Sequence, residues 1–200
     1  MRSLLMIFAK VPEAGKVKTR LAETIGDDKA LQVYLTLLQH THDIAAKVEV
    51  DKLLFYEGDV ESFDMLDYYR IPKTNQQGDG LGERMNNAFI RSFSQEYEKV
   101  IIMGSDCYEL NTEIIEQGFK DLDSHNFVIG PAADGGYYML GMRNLESSVF
   151  ENKTWSGPDV FLDTILDFKK LNATYSILPT LSDVDYEADM SDELKDEVGI

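Results

Sequence analysis

Two rhythms of apolar and polar residues alternate along this chain. Short, nearly continuous apolar runs occupy Leu4–Ala9, Lys52–Tyr56, Val100–Met103, Phe127–Ile129 and Tyr137–Met142. Runs of this length that stop at turn residues read as buried strands. Between them lies the three-and-four spacing of helices with one buried face. Leu31, Tyr34, Leu38, Thr41 and Ala45 mark one over 27–47, with Asp27 or Asp28 able to cap it. Leu81, Met85, Ala88, Phe89, Ser92 and Phe93 mark a second. Leu110 and Ile115 can form a hydrophobic staple around Asn111 and open a third, running to about Leu122. Pro158 opens a fourth, with Val160, Phe161, Thr164, Ile165, Phe168 and Leu171 inward. A short helix over 59–69 with Phe63 and Leu66 inward, a late strand over 175–178 and a solvated acidic helix over 187–197 complete the expectation. His40 and His42 stand two apart, hence on different helix faces, and read as surface or boundary residues rather than a metal pair. Strands alternating with helices predict an α/β fold, a mostly parallel central sheet flanked by helices, in a single domain over residues 1–200.

Composition narrows the partners. The chain has 200 residues, 44% of them hydrophobic, which suits a globular domain with its own core. Its net charge of −17 repels nucleic acid and anionic membranes. No apolar run is long enough to span a bilayer, and Lys10 interrupts the N-terminal one, so no membrane insertion and no leader are expected. A single cysteine, Cys107, excludes an internal disulfide and fits a reducing, cytoplasmic setting.

Against this acidic background, local chemistry stands out. Lys10, Lys16, Lys18 and Arg20 crowd a loop broken by Pro12 and Gly15, straight after the first strand. Such a loop can cradle a polyphosphate through backbone N–H groups and point charges, or it is a solvated surface loop. It matches neither the Walker A nor the dinucleotide-binding glycine pattern. Asp106 follows the central strand Val100–Met103, where open α/β sheets place their ligands. A carboxylate there can hold a hard divalent cation, or start a turn. Gly78, Gly80 and Gly82 form a loop feeding a helix, which permits close approach to a ligand. Asp134 is displayed before a glycine pair, as a site residue or as a plain Asp-Gly turn. Of Asp183 and Asp185, only one is expected to join a site.

These residues together resemble the DUF2064 family of bacterial proteins, described as glycosyltransferases, within the nucleotide-diphospho-sugar transferase superfamily. The resemblance rests on the segments 8–21, 80–85, 104–107, 130–138, 155–156 and 183–185, in that order, and covers nearly the whole chain. Tyr108 stands where the family pattern has Pro, Asp185-Tyr-Glu-Ala-Asp189 replaces Asp-Thr-Pro-Glu-Asp, and Gly80 is an addition to Gly-Asp-Leu-Gly.

The resemblance implies a GT-A-type, Rossmann-like fold and a metal-dependent transferase with a nucleotide donor. Lys10, Gly15, Lys16, Lys18 and Arg20 would hold nucleotide phosphates, and Gly80, Gly82 and Arg84 would lie near the base or ribose. Asp106 and Asp185 would hold Mg²⁺ or Mn²⁺, with Asp183 the less favoured second ligand. Asp134 would face the acceptor and act with Lys18 in catalysis. The expected reaction is sugar transfer from a nucleotide diphosphate-sugar to a small acceptor. The alternative is nucleotidylyl transfer from a nucleoside triphosphate to a phosphorylated acceptor, and a non-catalytic nucleotide-binding module is a second alternative.

Overall fold

The computed structural model describes residues 2–58, 71–155 and 157–200. The helix expected over 59–69 lies outside the described residues. The strands are β1 (Ser3–Lys10), β2 (Asp51–Glu57), β3 (Lys73–Asn75), β4 (Lys99–Met103), β5 (Phe127–Pro131), β6 (Tyr137–Met142) and β7 (Tyr175–Ile177). Among the described residues they form one sheet in the order β3-β2-β1-β4-β6-β5-β7. β6 runs antiparallel to both β4 and β5, and the other neighbours pair parallel. The helices are α1 (Thr19–Ile25), α2 (Asp27–Ala46), α3 (Leu81–Ser94), α4 (Thr112–Asp121), α5 (Val160–Lys170) and α6 (Asp192–Val198).

The central strands are apolar throughout because both sheet faces are covered. Leu5, Ile7, Leu54, Ile101 and Met103 pack with Tyr34 and Leu38 of α2 and with Ile115 and Phe119 of α4. The alternate residues Leu4, Met6, Phe55, Val100 and Ile102 pack with Met85 and Phe89 of α3 and with Ile165 and Phe168 of α5. The period of two thus feeds both layers from the same strands. Asn111 caps α4 as expected, its side chain accepting from the Ile114 N–H at 3.0 Å, while Leu110 and Ile115 are buried.

Five expectations change. The α2 cap is Gly26, and Asp27 and Asp28 lie inside the first turn, where they complement the helix dipole. Thr19 and Arg20, read as loop, begin α1. His42 is fully buried, because α2 is covered by the sheet on one side and by a third apolar cluster on another. That cluster joins Leu21, Val33 and Leu37 to Val184, Met190 and Leu194, so the acidic tail is anchored by apolar contacts rather than solvated. The tail's charges obscure those few inward residues, and Leu171, read as inward, is 39% exposed past the end of α5.

Candidate functional site

β1 turns outward on one side of the sheet and β4 on the other, since their onward neighbours are β2 and β6. Open α/β sheets have their ligand crevice at such a switch, beyond the carboxyl ends of the strands. A cleft of about 530 Å³ lies there. Lys10, Lys18, Arg20, Arg84, Asp106, Asp134, Asp183 and Asp185 all line it.

Lys18 is at the centre of the charges. Its backbone is left-handed, with φ 47°, immediately before α1. That turn aims its side chain inward, where it is only 4% exposed. The ammonium lies 2.7 Å from Asp106 Oδ1 and 3.4 Å from Asp185 Oδ1. Asp106 Oδ1 is buried and, despite the closeness of Lys18, accepts no aligned hydrogen bond. Arg20 extends the network from α1, with its guanidinium 3.1 Å from Asp185 Oδ2 and 5.9 Å from the centre of the Tyr186 ring. Lys10 and Arg84 meet at Glu57, at 3.8 Å and 2.7 Å.

The backbone supports these positions. The Tyr34 hydroxyl accepts from the Lys10 N–H at 2.7 Å and donates to the Lys10 carbonyl at 2.9 Å, fixing the end of β1. The Val184 N–H donates to the Asp106 carbonyl at 2.9 Å, joining the 183–185 segment to the β4 exit. The Asp189 carboxylate accepts from the backbone N–H groups of Asp185 and Tyr186 and holds the segment from behind.

Asp183 and Asp185 both line the cleft, so the expectation of one site residue here fails. Residues two apart in extended chain share a face, and Val184 between them is buried in the third cluster. Burial first, then the nearby Asp106 charge, raises the Asp183 carboxyl to about 7, with Lys18 opposing and Asp134 and Asp185 adding. Four carboxylates therefore share a small region with Lys18. Asp134 is exposed at the cleft edge, its Oδ1 accepting from the Gly136 N–H at 2.8 Å. The Cys107 thiol is pushed up to about 12, mainly by burial, and is unsuited to act as a nucleophile.

The remaining expected site residues lie elsewhere. Lys16 is exposed and paired with Glu13 at 2.8 Å, and neither it nor Gly15 lines the cleft. Gly80 precedes α3 as its cap. Gly82 is covered by Trp155, and a Cβ on it would fall 2.3 Å from the indole Nε1. Its missing side chain makes room for an aromatic lining residue. Gly135, with φ +92°, gives the same room to the Pro158 carbonyl, 1.9 Å from where a Cβ would sit. Sequence reading did not single out Trp155, Tyr137 or Glu57, which also line the cleft. Trp155 and Tyr137 fall within segments that carry the family resemblance, but the resemblance gives neither a role.

Hard carboxylate oxygens suit Mg²⁺ or Mn²⁺. The buried, unaligned Oδ1 of Asp106 and the crowding of acids around a single ammonium fit such an ion. Among the described residues no three His, Cys, Asp or Glu side chains converge as a ready metal cage. Two carboxylates would have to be completed by phosphate oxygens and water. No helix among the described residues is long and apolar enough to cross a membrane.

Comparison with known proteins agrees with this architecture. The family model described as "Uncharacterized protein conserved in bacteria (DUF2064)" matches residues 38–157. A solved structure from Desulfovibrio desulfuricans G20, named "putative nucleotide-diphospho-sugar transferase", superposes with a TM-score of 0.88. It is 31% identical, over 98% of this chain and 91% of that one. The inositol-1-phosphate CTP transferase of T. maritima superposes with a TM-score of 0.63 at 13% identity, over 100% of this chain and 95% of that one. Glucosyl-3-phosphoglycerate synthase from Mycobacterium tuberculosis, in complex with Mg²⁺ and uridine-diphosphate, gives 0.58 at 11% identity, over 90% and 69%. The last two are alike in fold alone. No curated protein sequence matches the chain. With the family model covering more than half of its length, the chain belongs to the DUF2064 family.

Proposed function

We propose that this chain is a nucleotide-dependent transferase that moves a sugar from a nucleotide diphosphate-sugar to a small acceptor. The observation that carries the reading is Lys18, buried between Asp106 and Asp185 where β1 and β4 end. A cation and a carboxylate pair beneath an open cleft suit a diphosphate and its divalent counter-ion. The 31% identical D. desulfuricans G20 protein, named for nucleotide-diphospho-sugar transfer, supports the same class.

Lys18, Arg20 and Lys10 bind and orient the phosphates in this reading. Asp106 and Asp185 would hold the Mg²⁺ or Mn²⁺, with Asp183 close by. When bound, the metal would supply charge neutralisation at the departing phosphates. Lys18 carries the same kind of charge on a tether and exchanges carboxylate oxygens for phosphate oxygens as donor fills the cleft. Asp134, exposed at the edge, takes the proton from the acceptor hydroxyl. Holding donor and acceptor in line supplies much of the rate.

Nucleotidylyl transfer from a nucleoside triphosphate is the second reading, favoured by one observation. Asp106 is followed by Cys107 and Tyr108, so no Asp-x-Asp pair lies at the end of β4. Product analysis separates the two. Purified protein with Mg²⁺ or Mn²⁺ is incubated with nucleotide-sugars or nucleoside triphosphates and a panel of small acceptors. Release of nucleoside diphosphate from a nucleotide-sugar is expected. Release of pyrophosphate alone would replace the first reading by the second.

A further inference from the structure

The two walls of the cleft differ in chemistry. One carries Lys18, Arg20 and the aspartates. The other carries Trp155, Tyr137, Leu81 and Met85. Trp155 is half-buried and packs so closely on the bare backbone of Gly82 that a Cβ there would fall 2.3 Å from the indole Nε1. Tyr137 meets it edge-on, with ring centroids 6.5 Å apart and planes at 82°. The Tyr137 hydroxyl points at Met85 Sδ, 3.9 Å away. Gly82 and Tyr137 thus both hold the indole, which also lines the cleft. Trp155 also packs against the core layer that holds Met85 and Phe89, so the ring is anchored on one side and open to the cleft on another.

We propose that Trp155 and Tyr137 form a subsite for an uncharged ring, the C–H face of a pyranose or cyclitol. The inference rests on the reading that the opposite wall binds a nucleotide donor. The negative face of an aromatic ring attracts weakly positive C–H groups, and the rigid ring loses little entropy on contact. A charged group would be desolvated against Trp155, Leu81 and Met85, whereas an uncharged ring would not. A nucleobase also stacks, and the comparison of bare with sugar-bearing nucleotides below separates it from a sugar ring. A sugar ring lays its apolar face on Trp155 and turns its hydroxyls toward Asp134 and Arg84, which share the cleft. The ring could be carried by the donor or belong to a free acceptor.

Trp155 is the chain's single tryptophan, so fluorescence excited at the indole edge reports on this wall alone. The full chain is titrated with UDP, GDP, UDP-glucose, GDP-mannose and methyl glucoside, each with Mg²⁺, and calorimetry is run in parallel. The sugar-bearing nucleotides are expected to shift or quench the emission where their bare diphosphates do not. Methyl glucoside added to the protein–UDP complex would do the same if the ring belongs to the acceptor. Trp155→Ala is expected to lower affinity for the nucleotide-sugar about tenfold, to that of the bare diphosphate. Trp155→Phe, which keeps a ring over Gly82, guards against misfolding and retains most of the sugar-dependent gain. Equal responses to bare and sugar-bearing nucleotides would assign Trp155 to the base and overturn the inference. Nucleotide binding by calorimetry with no response to any ring would overturn it and leave the donor reading standing. No nucleotide binding at all would remove both.

Discussion

Lys18 and Asp106, 88 residues apart in sequence, meet at 2.7 Å above the carboxyl ends of adjacent parallel strands. Their meeting could not be read from either segment alone. Lys18 is turned in by a left-handed residue before α1, and Asp106 stands just beyond the last residues of β4. Removing the lysine would leave Asp106, Asp183 and Asp185 crowded with less countercharge. Lys18→Met is therefore expected to lower the apo Tm by several degrees at low salt and to weaken nucleoside diphosphate binding at least tenfold, about 1.4 kcal/mol. Lys18→Arg should recover part of both. Added Mn²⁺ should stabilise Lys18→Met more than wild type, as read by thermal shift. Equal metal responses would count against a shared position for ammonium and ion.

Gly82 tests how the aromatic wall is built. A Cβ there would fall 2.3 to 2.6 Å from three atoms of the Trp155 ring, so the ring must move. Gly82→Ala is expected to cost about 1–3 kcal/mol by overpacking, despite the higher helix propensity of Ala. The emission of the sole tryptophan should shift with it. An unchanged spectrum and urea midpoint would contradict the packing described.

His42 sets a pH dependence. Burial lowers its imidazole to about 4, with Asp43 opposing. The unfolded chain takes up this proton near pH 6.5, whereas the native chain resists until about pH 4. Between these values the unfolded state binds more protons, so stability rises with pH. The contribution is whole above pH 6.5 and is lost as pH falls toward 4, on the order of 3 kcal/mol. Urea midpoints from pH 7.5 to 4.5 should fall less steeply for His42→Gln than for wild type. Parallel curves would contradict the prediction.

The C-terminal segment is expected to behave as core. Leu194 is fully buried against Leu21, Val33 and Leu37. Leu194→Ala should cost about 2–5 kcal/mol in urea unfolding. Leu166→Ser, on the exposed face of α5 with 51% exposure, should change stability by no more than about 0.5 kcal/mol.

Apolar runs made the sheet legible in the sequence, because a strand covered on both faces has no polar alternation to hide it. The order of those strands and the antiparallel β6 rest on long-range pairing that no local pattern carries. β3 spans only Lys73–Asn75 and has no apolar signature. At the cleft, Asp106 was legible because a strand ended abruptly at a carboxylate. Trp155 was not, because its role depends on Gly82, 73 residues away in sequence, lying beneath it. The spacing of Asp183 and Asp185 did carry the shared face, but only with Val184 recognised as the buried residue between them.

The most direct test of the central claim is a thermal-shift titration of wild type and Asp106→Ala. Nucleoside diphosphates, nucleotide-sugars and nucleoside triphosphates are compared, with and without Mg²⁺ or Mn²⁺. A ligand at a hundredfold excess over its Kd stabilises by about 2.7 kcal/mol. The account predicts a metal-dependent shift with a nucleotide-sugar, lost in Asp106→Ala. Equal shifts in both proteins, or no shift with any nucleotide in either, would contradict it.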